Sequence, residues 1–175
     1  PEREAKSIGH EETYAHDLHT RDELWREAVR LADAVASRVR ASGQAARTVT
    51  LKLRFADFVT VSRSHTTTAP VTTAAAILDA AASLLDRLEL DRGARLFGIS
   101  VSGFGDRAEQ LSFDDLAVDG PPMDELGSAP LARRPSSHDW ETASETIDAI
   151  RARFGSASIG PASSLAAEGL RLVRP

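Results

Sequence analysis

RTVTLKLRFADFVTVSRSHTTTA, residues 47–69, carries the clearest structural pattern in the chain. It predicts two antiparallel strands joined by a short turn at Ala56–Asp57. Side chains alternate between the two faces of a strand, so the apolar residues of the first strand share one face that is suited to a core. These residues are Val49, Leu51, Leu53 and Phe55.

The other face of this strand pair is predicted to be polar and basic. Its side chains in the two strands are Thr48, Thr50, Lys52, Arg54, Thr60, Ser62, Arg63, Ser64, His65 and residues 66–68, all threonine. Hydroxyl and cationic groups can donate hydrogen bonds to phosphate oxygens, and such contacts position nucleic acid without reading its sequence. Half-buried antiparallel strands also commonly have a polar outer face, and composition alone favours this simpler interpretation.

The segment before the strand pair predicts one strand and one helix. KSIGHEETY, residues 6–14, is typical of a strand. Thr20, with Glu23 three residues later, predicts the capped start of a helix that ends at Ser42–Gly43. The predicted buried stripe of this helix is Leu24, Ala28, Leu31, Val35 and Val39.

The segment after the strand pair predicts a second helix and a fourth strand. Pro70 is expected to begin the helix and Gly93 to close it, and RLFGISVSGF, residues 95–104, alternates like a strand. The order of elements indicates an α+β domain, a four-stranded sheet with two helices on one face. The predicted stripe of the second helix is Ile77, Leu78, Ala81, Leu84, Leu85 and Leu88.

Three regions are predicted along the chain. Residues 4–106 form the domain, and residues 107–136 are an acidic linker rich in Gly, Pro and Ser. Residues 137–175 form a C-terminal extension that is largely irregular, with a short helix over His138–Phe154.

Composition limits the classes of protein to which the chain can belong. With 175 residues it is long enough for one domain with a core plus an extension. It contains no cysteine, which excludes disulfides, thiolate metal sites and a cysteine nucleophile. It has no apolar run of the roughly 20 residues that span a bilayer and no signal peptide at its start, so a cytoplasmic location without a membrane partner is expected. The first residue, Pro1, suggests a piece cut from a longer protein.

Charge is distributed unevenly along the chain. The net charge is −5, but acidic and basic residues balance over residues 1–108, and the acidic excess lies in residues 109–175. Within the first part, acidic residues cluster on the predicted helices, whereas the predicted strands carry Lys6, Arg47, Lys52, Arg54, Arg63 and Arg95. One face of a neutral domain is therefore expected to be locally positive, which suits a polyanionic partner.

The sequence contains no catalytic constellation. The histidines lack the i, i+4 spacing of a zinc-binding helix, and GISVSG at residues 98–103 lies in a strand pattern that no helix follows, unlike a nucleophile elbow. No catalytic residue, metal ligand or cofactor site is therefore predicted, and an enzyme of unknown type is disfavoured.

Three stretches resemble a known family. KSIGHEET at residues 6–13, RTVTLKLRFADFVTVSRSHT at residues 47–66 and RLFGISVSGF at residues 95–104 resemble the little-finger domain of Y-family translesion DNA polymerases, in the DNA polymerase IV branch. The middle stretch is the most specific. The C-terminal extension also resembles that of relatives from high-GC bacteria.

The resemblance implies a fragment whose polymerase active site, with its Mg²⁺, lies in a palm domain outside this chain, so the fragment alone should be inactive. It implies a domain that follows the catalytic core and grips the backbone of the double-stranded template–primer DNA. The phosphate contacts that it implies are Ser7, Lys52, Arg54, Arg63, Ser64, His65 and Thr66, with Arg95 as a weaker candidate. His65 stands where many relatives have arginine.

A second motif follows the predicted domain. Gln110, Leu111, Ser112 and Phe113 resemble the bacterial motif that binds the replicative sliding clamp, although Asp114 takes the place of its final apolar residue. The alternative is that Leu111 and Phe113 fold back onto the edge of the sheet.

A rival function is a stand-alone RNA-binding module of the RNA-recognition-motif type, which has the same plan of four strands and two helices. Such modules stack bases on exposed aromatic residues of their central strands. Here Phe55 and Phe97 are predicted to lie on the core face, while the exposed positions are polar.

Overall fold

The computed structural model describes residues 6–105, 137–156 and 158–162. Four strands and two helices come first in the chain, and a third helix follows them. In chain order the elements are β1 (Ser7–Leu18), α1 (Arg21–Ala41), β2 (Ala46–Phe55), β3 (Thr60–Val71), α2 (Ala74–Leu85), β4 (Ala94–Ser102) and α3 (Ser137–Phe154). The predicted linker at residues 107–136 and the clamp-motif residues Gln110 to Phe113 lie outside the described ranges.

The strands form one antiparallel sheet in the order β1-β4-β2-β3. Helices α1 and α2 pack side by side on the same face of this sheet. The predicted α+β fold is thereby confirmed. The core between the layers contains the predicted strand and helix stripes except Leu78, which is partly buried against it. Its largest fully buried side chains include Phe97, Leu24, Leu31, Leu51 and Ile77.

Helix α1 begins at the predicted capping box. The Thr20 hydroxyl accepts a hydrogen bond from the Glu23 amide at 3.2 Å, and the Glu23 carboxylate accepts one from the Thr20 amide at 2.9 Å. These bonds satisfy amides that have no partner inside the helix. At the other end Ser42 caps the helix, and Gly43 takes a left-handed φ of 67°, which favours glycine.

The second helix does not begin at Pro70, as predicted. Strand β3 continues through Pro70 to Val71, and Thr73 caps α2, which ends at Leu85 rather than near Gly93. Because β3 is the last strand of the sheet, a proline can occupy it without removing a hydrogen bond between strands.

Two further boundaries differ from the prediction. Strand β1 continues to Leu18, four residues beyond Tyr14, because after a register shift that follows Thr13 it pairs with β4 again at Leu18. The turn between β2 and β3 is a four-residue loop, residues 56–59, that includes exposed Phe58 at a φ of 67°. Within the described residues, no helix is long and apolar enough to cross a membrane.

Helix α3 is attached to α1 through charged and polar side chains. Asp148 accepts hydrogen bonds from Arg40 at 2.7 Å and from Ser37 at 3.1 Å. One turn further along α3, Arg151 contacts Asp33 at 2.6 Å. We call these five residues the α3 cluster. The apolar residues Trp140 and Phe154 of α3 remain exposed.

Candidate nucleic-acid interface

One face of the sheet is not covered by α1 or α2, and we call it the open face. Antiparallel pairing arranges its side chains in rows that cross β1, β4, β2 and β3 in that order. The four rows are Thr13, Leu96, Arg54 and Thr60; Glu11, Gly98, Lys52 and Ser62; Gly9, Ser100, Thr50 and Ser64; and Ser7, Ser102, Thr48 and Thr66.

Hydroxyl groups dominate the last two of these rows, which begin at Gly9 and Ser7. Thr48 and Thr66 share a hydrogen bond of 3.0 Å between their hydroxyl oxygens, and Thr50 and Ser64 share one of 2.9 Å. In each pair one hydroxyl donates to the other, so the second hydrogen is available to another acceptor. The open face therefore offers hydrogen-bond donors to phosphate oxygens, and predicted contacts Ser7, Ser64 and Thr66 all lie on it.

Two predicted cations lie on the open face, in neighbouring rows of β2. Among the described residues Arg54 makes one side-chain hydrogen bond, from Nε to the Thr60 hydroxyl at 3.1 Å. Lys52 has a stronger partner, because its Nζ lies 2.8 Å from Oε2 of Glu11. The open face thus presents one guanidinium without an ion pair among the described residues and one ammonium that is already paired.

Arg63 and His65 do not share the open face, contrary to the prediction. They lie opposite Leu51 and Val49 in the β2–β3 register, and these partners face the core. Both side chains nevertheless remain exposed, because β3 is the edge strand. Strand β3 therefore presents hydroxyls on one side, through Ser62 and Ser64, and basic side chains on the other.

Arg95 lies away from the open face. It forms two hydrogen bonds with Asp17, at 2.7 Å from Nε and 3.2 Å from Nη2, near an irregularity in the pairing of β4. These bonds, together with the positive charge of Arg95, hold the pKa of the Asp17 carboxyl below its usual value. The structure therefore brings Arg95 together with an acid rather than with Lys52 and Arg54.

Sequence reasoning missed Glu11, the acidic residue of the open face. Its parity with Ser7 and Gly9 in the first strand could have placed it there. Its pairing with Lys52 could not be predicted from parity alone, because it depends on the strand order, with β4 between β1 and β2.

The described residues contain no group of three or more His, Asp or Glu side chains that could hold a metal ion. Mg²⁺ therefore has no fitting site among them, and no reaction step is assigned to it.

A protein-family model, the C-terminal domain of the impB/mucB/samB family, matches residues 5–113. The chain belongs to this family. The match contains the whole sheet with α1 and α2, and it ends before α3.

Curated members that resemble the chain are DNA polymerase IV proteins. That of Streptomyces coelicolor is 40% identical over 149 residues, which cover 79% of this chain and 31% of the relative. That of Caulobacter vibrioides is 35% identical over 159 residues, covering 91% and 35%. The predicted resemblance to the DNA polymerase IV branch is confirmed. The chain spans about a third of the length of these relatives.

A solved structure is also similar to this member of the impB/mucB/samB family. It is a complex of the beta-clamp processivity factor and the little finger domain of PolIV, 25% identical, with a TM-score of 0.46. The similarity covers 61% of this chain and 96% of the solved one.

Proposed function

We propose that this chain binds the backbone of template–primer DNA, without sequence preference, as the little-finger part of a DNA polymerase IV that copies damaged templates. The observation that carries the proposal is the open face, where hydroxyls and cations of adjacent strands form ordered rows. Contacts of this kind bind phosphate and sugar and carry no sequence information, which suits a protein that must follow any template.

The open face favours duplex DNA over the RNA-binding alternative. Its sixteen row positions include no aromatic side chain on which a base could stack. Phe55 and Phe97, the aromatic residues of the two central strands, are buried in the core with exposures of 4% and 0%. The open face therefore lacks the exposed aromatic side chains that base stacking requires.

Titration of the chain with labelled primer–template duplexes tests the proposal. We expect weak binding that is insensitive to sequence and falls steeply with salt, because phosphate neutralisation releases counterions. Lys52→Ala and Arg54→Ala, on the open face, should each flatten the salt dependence by about one unit per lost contact. Arg63→Ala should do the same through the exposed edge strand β3. Arg26→Ala, an exposed change of equal charge on α1, is the matched control. Salt-insensitive binding, or equal effects of all four variants, would contradict the proposal.

DNA synthesis itself belongs, in this proposal, to the catalytic core of the parent polymerase. The chain corresponds to about a third of its relatives, and its described residues offer no site for catalytic metal ions. We therefore expect no primer extension by the chain alone in the presence of Mg²⁺. Extension by the purified chain would overturn this assignment.

Tethering to the sliding clamp is a separate proposal that rests on the sequence motif alone. Leu111 and Phe113 would enter an apolar groove of the clamp while Gln110 hydrogen bonds at its rim. We expect affinity in the micromolar range, about −8 kcal/mol, with Leu111→Ala plus Phe113→Ala removing most of it. DNA binding by this double variant should be unchanged. Undiminished clamp capture would locate the contact elsewhere in the chain.

A further inference from the structure

An acidic side chain lies in the middle of the surface to which DNA binding is assigned. Glu11 is in the outermost strand β1, and Lys52 is in β2, with β4 between them. The two side chains nevertheless meet, with 2.8 Å between Nζ and Oε2. The pair spans a distance of about 10 Å between non-adjacent strands, since neighbouring strands are spaced by about 4.8 Å.

Gly98 makes this contact across β4 possible. It occupies the position between Glu11 and Lys52 in their row of the open face. A Cβ atom at Gly98 would lie 2.7 Å from the Cβ of Glu11 and 3.3 Å from its Cα, so any side chain would displace the acid. The absence of a side chain here lets Lys52 extend over the sheet to Glu11.

The ion pair is accessible and can be exchanged. The side chains of Lys52 and Glu11 are 38% and 52% exposed, and such pairs gain little in water because both charges remain solvated. A phosphate oxygen can therefore replace the carboxylate as the partner of Lys52. The carboxylate itself stays on the same surface, where it repels the polyanion.

We propose that Glu11 is an intramolecular competitor for the phosphate site at Lys52, which keeps the grip of the open face on DNA weak and reversible. This inference rests on the proposed function and assigns a specific role to a residue outside the predicted contacts. Glu11 lowers duplex affinity in two ways, by holding Lys52 in the free protein and by repelling phosphate in the complex. Loss of its charge therefore strengthens binding.

The test measures duplex affinity and its salt dependence for the full chain and Glu11→Gln. We expect affinity to rise roughly fivefold to tenfold near 0.1 M salt, because Lys52 no longer has to leave a carboxylate to reach phosphate and the acid no longer repels the DNA. Glu12→Gln makes the same charge change on the same strand, but Glu12 contacts Arg30 on the helix-covered side. It should have a much smaller effect, which separates local competition from overall charge.

A second arm places Glu11→Gln in a Lys52→Gln background. If Glu11 competes for Lys52, most of the gain disappears, whereas a gain of full size would overturn competition. If the wild-type chain binds duplex but Glu11→Gln in the native background binds equally well or more weakly, the inference is also overturned while the proposed function stands. If the wild-type chain fails to bind duplex at low salt, the proposed function falls, and this inference falls with it. Glu11→Thr, a strand-compatible neutral variant, repeats the measurement should Glu11→Gln unfold.

Discussion

Two ion pairs of nearly the same length have different surroundings in this molecule. Arg40 and Asp148, in the α3 cluster, are 2.7 Å apart, with side chains 8% and 28% exposed. Lys52 and Glu11, on the open face, are 2.8 Å apart, with side chains 38% and 52% exposed. Distance alone therefore does not define the role of an ion pair, since burial decides whether water or phosphate can replace either partner.

The number of additional hydrogen bonds separates the two pairs further. Arg40 also donates to the backbone carbonyl of Thr72 at 3.0 Å, and Asp148 also accepts from Ser37. Burial of Asp148 by itself raises its pKa, but the hydrogen bonds and positive charge of Arg40, with help from Ser37 and Arg151, reverse that effect and hold the pKa below its usual value. The α3 cluster is therefore a structural attachment, whereas the pair on the open face can exchange.

The largest effect in this comparison is expected from Arg40→Gln. Removal of Arg40 takes away the main partner of the mostly buried Asp148 carboxylate, so the attachment of α3 should weaken by about 2 to 4 kcal/mol. Hydrogen exchange of the α3 amides would measure this directly, because released α3 exchanges faster while the sheet stays protected. Arg26→Gln, exposed on the same helix, is the control. Equal α3 exchange in the two variants would show that the α3 cluster does not hold this helix.

Gly98→Ala should have the next largest effect. The new methyl would lie 2.7 Å from the Cβ of Glu11, so β1 must shift, at a cost of about 1 to 3 kcal/mol in the free energy of unfolding. Gly105→Ala is the matched control, because the described residues other than its chain neighbours place no atom within 4 Å of its added Cβ. Denaturant unfolding of both variants checks this. Identical midpoints would mean that the sheet has room at Gly98 after all.

Acidification should release α3 only at low pH. The carboxyl of Asp148 has a lowered pKa in the folded chain, so its contribution is complete above the usual aspartate pKa of about 4 and is lost as the pH falls below it. Exchange of the α3 amides should therefore be constant from neutral pH to about pH 4, after correction for intrinsic exchange rates, and accelerate below. Asp148→Asn removes this titration. A variant with the same acid response as the wild type would assign the effect to another group.

The smallest effect is expected for the stability that the open-face pair contributes. A double-mutant cycle with Glu11→Gln and Lys52→Gln should give a coupling in the free energy of unfolding below about 1 kcal/mol, as is usual for exposed pairs. Denaturant unfolding of the four proteins measures it. A coupling as large as that of Arg40 with Asp148 would erase the distinction between the two pairs.

The sequence predicted those elements whose residues contrast strongly in polarity. Alternation of Val49, Leu51 and Leu53 with polar residues defined β2, and the Thr20–Glu23 pair defined the start of α1. Strand alternation alone puts Arg63 and His65 on the face opposite to Ser62 and Ser64. Both faces of β3 are polar, however, so no apolar stripe marked which pair shares the open face. Local pattern carries no information where neither face has an apolar stripe.

The features that the sequence did not predict depend on the order of the strands or on contacts between distant residues, neither of which a local sequence pattern reveals. Pro70 was predicted to begin a helix because the edge position of β3, where proline is tolerated, could not be known. The contact of Glu11 with Lys52 likewise required β4 to lie between their strands. The attachment of α3 through Arg40 and Asp148 joins residues 108 positions apart, a separation that no periodic signal spans.

The position of β4 also constrains how the domain can be made. It is the last of the four strands to leave the ribosome, yet it pairs with both β1 and β2 in the interior of the sheet. A nascent chain that ends before Ala94 can close the β2–β3 hairpin but has no partner for β1. Sheet assembly must therefore wait for synthesis to pass Ser102, and the apolar faces of α1 and β2 stay open to misassociation or chaperones until then.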